Sequence, residues 1–221
     1  MKTALVLPRF NLLLLVFRIL LPRDDVGPAM WARHYTDRQP SKYLRLVFNR
    51  VDPVELVIVR RQAMLASGPF MSRVINGMTA LGNGWIYPIF AIFLLAIVGR
   101  RAFRPALLAV CSSAIAHLIY PSIKFYIARP RPTAKDRTLV SAHLPLDRYS
   151  CPSGHPMTAT AVFVPLGVAY PILGPFLLIV WTMLVWPRLL LAHHYPSDLI
   201  VGVAFGGVAV AAASTIFMAL P

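Results

Sequence analysis

The sequence predicts an all-α fold, a polytopic transmembrane helix bundle, most simply of six spans. Three observations carry this. Of the 221 residues, 57% are hydrophobic and only 14% are charged, with a mean hydropathy of +0.65. A soluble domain carries roughly a quarter charged residues, so this chain has too few for a water-exposed surface. Several apolar runs also approach the roughly 20 residues that cross a bilayer. This composition excludes a soluble enzyme, a nucleic-acid-binding domain, a disulfide scaffold and a disordered chain. The net charge of +14 therefore points not to nucleic acid but to anionic headgroups or a phosphate substrate.

The first apolar stretch, residues 4–21, is interrupted by Arg9, Asn11 and Arg18. Pro22-Arg23-Asp24-Asp25 follows, with no small-residue cleavage site, so a removed signal peptide is not expected. The stretch reads as a weak first span with snorkelling arginines or as a helix lying in the interface. Residues 22–84 are mixed. Asp52-Pro53-Val54-Glu55 has the form of a helix start: Asp as N-cap, Pro first, Glu third. The helix after it sets Val54, Val57, Ile58, Met64 and Leu65 mainly on one side and Arg60, Arg61 and Gln62 on the other. That suits an interfacial amphipathic helix or one packed on the protein's own spans.

Gly82-Asn83-Gly84 breaks the chain, and apolar runs follow at 85–98, 105–120, 157–170, 173–191 and 199–220. Gly202, Gly206 and Gly207 give the last run a small-residue face for close helix packing. The division is thus an N-terminal segment, 1–84, holding the weak first span and the amphipathic helix, and a transmembrane catalytic core, 85–221. Cys111 and Cys151 lie in an apolar run and a polar loop, an improbable disulfide pair, and no metal-binding spacing occurs.

Two polar gaps interrupt the spans, at 121–156 and 188–198. Two crossings separate them, so both lie on one side of the membrane. Lys124, Arg131, His155, Arg188, His194 and Asp198 can therefore meet there, and ionisable groups at span ends are functional candidates. Three cations can neutralise the charge of a five-coordinate phosphorus. A histidine can attack it, as His194 would. Asp198, four residues on, can hold that imidazole in the reactive tautomer. His155 can protonate the leaving oxygen. Ser153-Gly154-His155-Pro156 opens a span, where backbone N–H groups point at an anion.

At these residues the sequence resembles the type 2 phosphatidic acid phosphatase superfamily. The pattern of that family appears as Lys124-x6-Arg131-Pro132, Pro152-Ser153-Gly154-His155 and Arg188-x5-His194-x3-Asp198. One departure is Pro187, where the family usually has Ser, which puts a supporting hydrogen bond in doubt. The resemblance covers roughly residues 80–215. It implies a six-helix bundle and a metal-independent lipid phosphatase that forms a phosphohistidine and needs no cofactor. Carried over, His194 is the nucleophile, Asp198 orients it, and His155 is acid and then base. Lys124, Arg131, Ser153, Gly154 and Arg188 bind phosphate.

The expected partners are a lipid phosphate substrate and membrane lipids, with polyprenyl diphosphate the first choice among substrates. Two rivals stay open: a lipid phosphotransferase using the same site, and a non-catalytic membrane protein that kept the fold. The expected location is the cell's inner membrane. Arg100, Arg101 and Arg104 in the short 99–104 loop mark that face as cytoplasmic, which sets the site on the extracytoplasmic face. Among the other polar residues, His193 reads as interfacial and His117 as an interhelical hydrogen-bond partner. Arg129, Lys135, Arg137 and Arg148 read as solvated or headgroup-facing, and Tyr126, Tyr149 and Tyr195 as an interface belt.

Overall fold

The computed structural model describes residues 38–82, 84, 86–139 and 147–219, so the apolar stretch at 4–21 lies outside the described residues. The described residues are helical apart from their connections and one isolated bridge between Pro130 and Tyr149.

Helix α1 spans Lys42–Leu65 and begins at Ser41, whose side chain accepts a hydrogen bond from the Leu44 amide at 3.3 Å. Asp52 and Pro53 therefore fall in mid-helix, not at a start. Pro53 forfeits one backbone hydrogen bond, and the helix runs through it. Asp52 and Glu55 do not cap; with Phe48 and Val59 they form the buried stripe of α1 that faces the rest of the protein. Val54, Val57, Ile58, Met64 and Leu65 remain exposed, so the helix packs through one face and leaves an apolar face outward.

Helix α2, Pro69–Gly82, ends where the sequence breaks; Gly84 takes φ 118°, which favours glycine. Helix α3, Ile86–Val98, leads through a 3-10 turn at Gly99–Ala102 into α4, Phe103–Ile127. α4 outruns the expected end at residue 120 because Pro121, like Pro53, is absorbed inside the helix. Its end is set by Ala128, left-handed at φ 51°, whose N–H bonds to the Lys124 carbonyl at 3.0 Å. Lys124 is thereby held in the last helical turn.

Helix α5, Gly154–Ala169, packs against α4, against α6 (Gly174–Val185) and against α7 (Pro196–Ala219). It is the buried centre of the bundle, with Met157, Ala159, Ala161, Phe163 and Leu166 enclosed. Phe163 meets Tyr87 and Phe90 of α3 at ring distances of 5.9 and 6.1 Å.

Three helical stretches are long and apolar enough to cross a membrane: Ile86–Ile127, which holds both α3 and α4, Pro171–Leu190 and Pro196–Ala219. This count, made among the described residues, stops short of six. At 16 residues α5 is about 24 Å long, and it lies inside the bundle.

The α5–α7 contact rests on missing side chains. A Cβ on Gly202 would stand 2.5 Å from the Ser153 carbonyl oxygen, and one on Gly206 would stand 2.6 Å from that of Met157. Gly207 has nothing within 4 Å and lies off this face. Substitutions should therefore split in sign. Gly202→Ala and Gly206→Ala should destabilise by about 1–3 kcal/mol through overpacking. Gly207→Ala should be neutral or stabilise by about 0.5–1 kcal/mol through helix propensity. Thermal unfolding of the three variants in detergent measures this directly.

Candidate active site

The loops between helices gather the polar residues at one end of the bundle. Lys124 sits at the end of α4. Arg131 follows it, just before a single helical turn at Pro132–Lys135. Ser153 is the N-cap of α5, and Arg188 lies in a second single turn, Pro187–Leu190. Both loops that carry site residues turn through a left-handed alanine, Ala128 before Arg129 and Ala192 (φ 53°) before His193. Non-glycine residues rarely take this conformation, and its cost of about 1–3 kcal/mol persists only where surrounding structure enforces it.

The structure brings Lys124, Arg131, Ser153, Arg188, His194 and Asp198 together as buried side chains. Their hydrogen bonding divides them into two groups. Lys124 donates to Asp147 Oδ2 at 2.7 Å and to the Tyr120 hydroxyl. Arg131 donates through Nη2 to Asp147 Oδ1 at 2.7 Å, through Nε to the Asp147 carbonyl at 2.9 Å and through Nη1 to the His193 carbonyl at 2.6 Å. Both cations are thus engaged by the protein. In contrast, Arg188 Nε and Nη2, Ser153 Oγ and His155 Nε2 are buried without a hydrogen-bond partner among the described residues. Such groups are rare in proteins; the charge of Arg188 is felt at His155, and buried donors without a partner are what an anion can satisfy. Gly154 admits close approach of Tyr120, whose ring would stand 3.2 Å from a Cβ there.

His194 is fixed by its backbone surroundings. Its Nδ1 lies 2.7 Å from the Ser150 carbonyl oxygen. A carbonyl only accepts, so Nδ1 carries the proton and Nε2 keeps its lone pair. Asp198 is not the direct partner expected for this ring. Its Oδ2 is 3.8 Å from Nδ1 and accepts the Tyr195 amide at 2.8 Å, while Oδ1 accepts Arg129 Nη1 at 2.6 Å. Burial, then the charges of Arg131 and Lys124, pushes the His194 imidazole well below the ordinary histidine range, against an opposing pull from Asp147.

The main residue that sequence reasoning misplaced is Arg129. It is not headgroup-facing but 1% exposed. Its guanidinium bonds to Asp52 Oδ1 and Glu55 Oε2, each at 2.6 Å, and to Ser197 Oγ at 2.7 Å, besides Asp198. It stacks 3.9 Å from the Tyr195 ring centre and 4.9 Å from that of Phe48. Lys135 also pairs with Asp52. The available signal was Asp52 and Glu55 themselves: two acids three apart in an apolar chain need buried cations. Tyr149 and Tyr195, read as belt residues, are buried, as is His193; Tyr126 is exposed. His117 is exposed and bonds back to the Ser113 carbonyl at 2.8 Å rather than to another helix. Tyr87 of α3, which the sequence offers only as a packing or lipid-facing aromatic, has a buried hydroxyl with no hydrogen-bond partner among the described residues.

Comparison with known proteins places the chain among relatives. The profile of the PAP2 superfamily matches residues 102–220. The chain is 32% identical over 151 residues to the decaprenylphosphoryl-5-phosphoribose phosphatase of Mycobacterium tuberculosis, across 68% of this chain and 82% of that one. It is 33% identical over 155 residues to the protein of the same name from Mycolicibacterium smegmatis, across 67% and 80%. Its fold is similar to the crystal structure of the first transmembrane PAP2 type phosphatidylglycerolphosphate phosphatase from Bacillus subtilis. There the TM-score is 0.62 at 21% identity, over 81% of this chain and 92% of that one.

Two outcomes are expected of this site. Arg129→Met removes the cation shared by three buried carboxylates and should cost about 3–5 kcal/mol, the range for breaking a buried ion pair. Arg60→Met, which removes a half-exposed partner of Asp136, should change thermal stability little. For His194 the sign is fixed by the direction of its shift. A lowered folded-state value keeps the ring neutral at neutral pH and as pH falls past about 6.5, the usual midpoint. Nitrogen NMR of histidine-labelled protein should show a neutral, Nδ1-protonated ring for His194 at pH 6.

Proposed function

Because this chain belongs to the PAP2 superfamily, a family of phosphatases, we propose that it removes phosphate from a membrane lipid through a phosphohistidine at His194. The observation that carries the reading is the buried set of unpartnered atoms, Arg188 Nε and Nη2, Ser153 Oγ and His155 Nε2, together with His194, whose Nδ1 is held by a carbonyl so that Nε2 keeps its lone pair.

The reaction divides into two displacements. The Nε2 lone pair of His194 forms an N–P bond as the P–O bond to the lipid oxygen breaks. That oxygen takes a proton from the imidazolium form of His155. A water molecule then attacks phosphorus, giving its proton to His155 as the N–P bond breaks and phosphate leaves. Arg188, Lys124 and Arg131 balance the charge on the equatorial oxygens, and Ser153 and the Gly154 amide add donors at the start of α5. Asp198 lies too far from Nδ1 for a direct bond; it acts by shaping the loop through the Tyr195 amide and by its charge. No step calls for a metal. Among the described residues, no three His, Cys, Asp or Glu side chains gather where they could hold one.

The substrate is proposed as a phosphate ester or diphosphate on a polyprenyl carrier. Two relatives whose names specify a decaprenyl-linked phosphate support that choice. We take the site to face the extracytoplasmic side; Arg100 and Arg101 in the turn between α3 and α4, at the other end of α4 from the site, support this reading.

Acid-stable and acid-labile label separate the roles. Wild-type protein should release phosphate from labelled polyprenyl substrates, in EDTA as well as without it. His194→Ala should yield neither product nor labelled protein. His155→Ala should lose about 10²–10⁴-fold on a poor leaving group. With an activated leaving group it should recover phosphorylation and accumulate acid-labile, base-stable label. Label appearing on His194→Ala would move the nucleophile elsewhere. Transfer of label to a second lipid rather than to water would make the enzyme a phosphotransferase.

A further inference from the structure

Two of the three cations assigned to phosphate already hold a carboxylate. Asp147 Oδ2 accepts from Lys124 at 2.7 Å and from the Tyr120 hydroxyl at 3.1 Å, and Oδ1 accepts from Arg131 at 2.7 Å. One carboxylate thus bridges two buried ammonium and guanidinium groups as two oxygens of a phosphate would. Its position is the rim of the site: the Asp147 side chain keeps 33% of its surface exposed, whereas Lys124 and Arg131 keep 5% and 6%. Arg188, the third cation, is not paired by it. Burial opposes ionisation of Asp147, but Lys124 and Arg131 outweigh it and hold its carboxyl down at about 2. The group is therefore an anion at neutral pH. Its charge is also felt at His194.

We infer that Asp147 is the resident counter-ion of the phosphate seat, displaced by the substrate phosphate on binding and returning to Lys124 and Arg131 as the phosphate product leaves. The inference rests on the phosphatase reading above. Its physical logic is that of competition. Two buried cations side by side need a nearby anion. An internal carboxylate supplies it without tying up the seat, because a phosphate with more negative charge and one more oxygen can outbid it by reaching Arg188 as well. The same carboxylate limits how tightly inorganic phosphate is retained. It makes Asp147 a specificity-determining residue: a mono-anionic ligand that cannot also engage Arg188 gains too little to displace it.

The test compares inorganic phosphate binding to full-length wild type, Asp147→Asn and Asp147→Ala in detergent by calorimetry, alongside steady-state kinetics on a lipid phosphate. Both variants should bind phosphate more tightly by about tenfold or more, the range of one charge-assisted hydrogen bond. KM should fall, and inhibition by product phosphate should strengthen in proportion. A purely structural role predicts the reverse, since Lys124 and Arg131 would lose their support and bind phosphate more weakly. If wild type binds phosphate but the variants bind it equally or less well, the inference falls alone. If wild type neither binds phosphate nor hydrolyses any lipid phosphate, the phosphatase reading falls and takes this inference with it. If both variants lose their cooperative thermal transition, Asp147 is a strut of the fold, and the inference is overturned.

Discussion

The buried guanidinium of Arg129 is the constraint around which the active end of this bundle is organised. An ion this deep cannot remain unpaired, and its partners come from two distant parts of the chain: Asp52 and Glu55 from α1, Ser197 and Asp198 from the start of α7. The fork geometry of arginine serves several acceptors at once, which a lysine ammonium could not do in the same plane. Through these bonds the N-terminal helix is tied to the loop that carries His194. Glu55 also accepts from the Ser197 amide at 2.7 Å, so α1 helps to satisfy the first turn of α7.

The same electrostatic demand recurs across the site. Buried cations are costly by themselves, and this end of the bundle handles them in three ways. Arg129 is neutralised permanently by carboxylates and flanked by aromatic faces. Lys124 and Arg131 share one carboxylate at the rim. Arg188 keeps Nε and Nη2 unpartnered among the described residues, as do Ser153 Oγ and His155 Nε2. This gradation separates the groups that build the site from those available to a ligand. It also explains how His194 stays neutral among so many cations: burial and positive neighbours both disfavour a further positive charge.

Below the site, apolar packing sets where these groups stand. α5 can reach α7 closely because Gly202 and Gly206 present no side chains to the Ser153 and Met157 carbonyls. This contact fixes the height of the α5 N-terminus, and with it Ser153, whose amide donates to the Asp198 carbonyl at 3.0 Å. Helix packing and site geometry are therefore one arrangement. A shift of α5 along α7 would move the phosphate-binding turn relative to the histidine loop.

The sequence by itself determined the class of fold and most of the chemistry. Hydropathy follows from composition, and the spacing of Lys124, Arg131, His155, Arg188, His194 and Asp198 could be read because two crossings return the chain to the same face. It did not determine the ends of α1 and α4. There Pro53 and Pro121 resemble local stop or start signals, and tertiary packing overrides them. Nor could it assign Arg129, Asp52, Glu55 and Asp147. A charge in a polar loop looks the same whether it meets water or another loop, and these pairs join residues up to 83 positions apart. Local pattern reveals which residue types are present at which helical phase. Only the folded chain decides which buried charges meet, because ion pairing depends on distances that no run of neighbouring residues encodes.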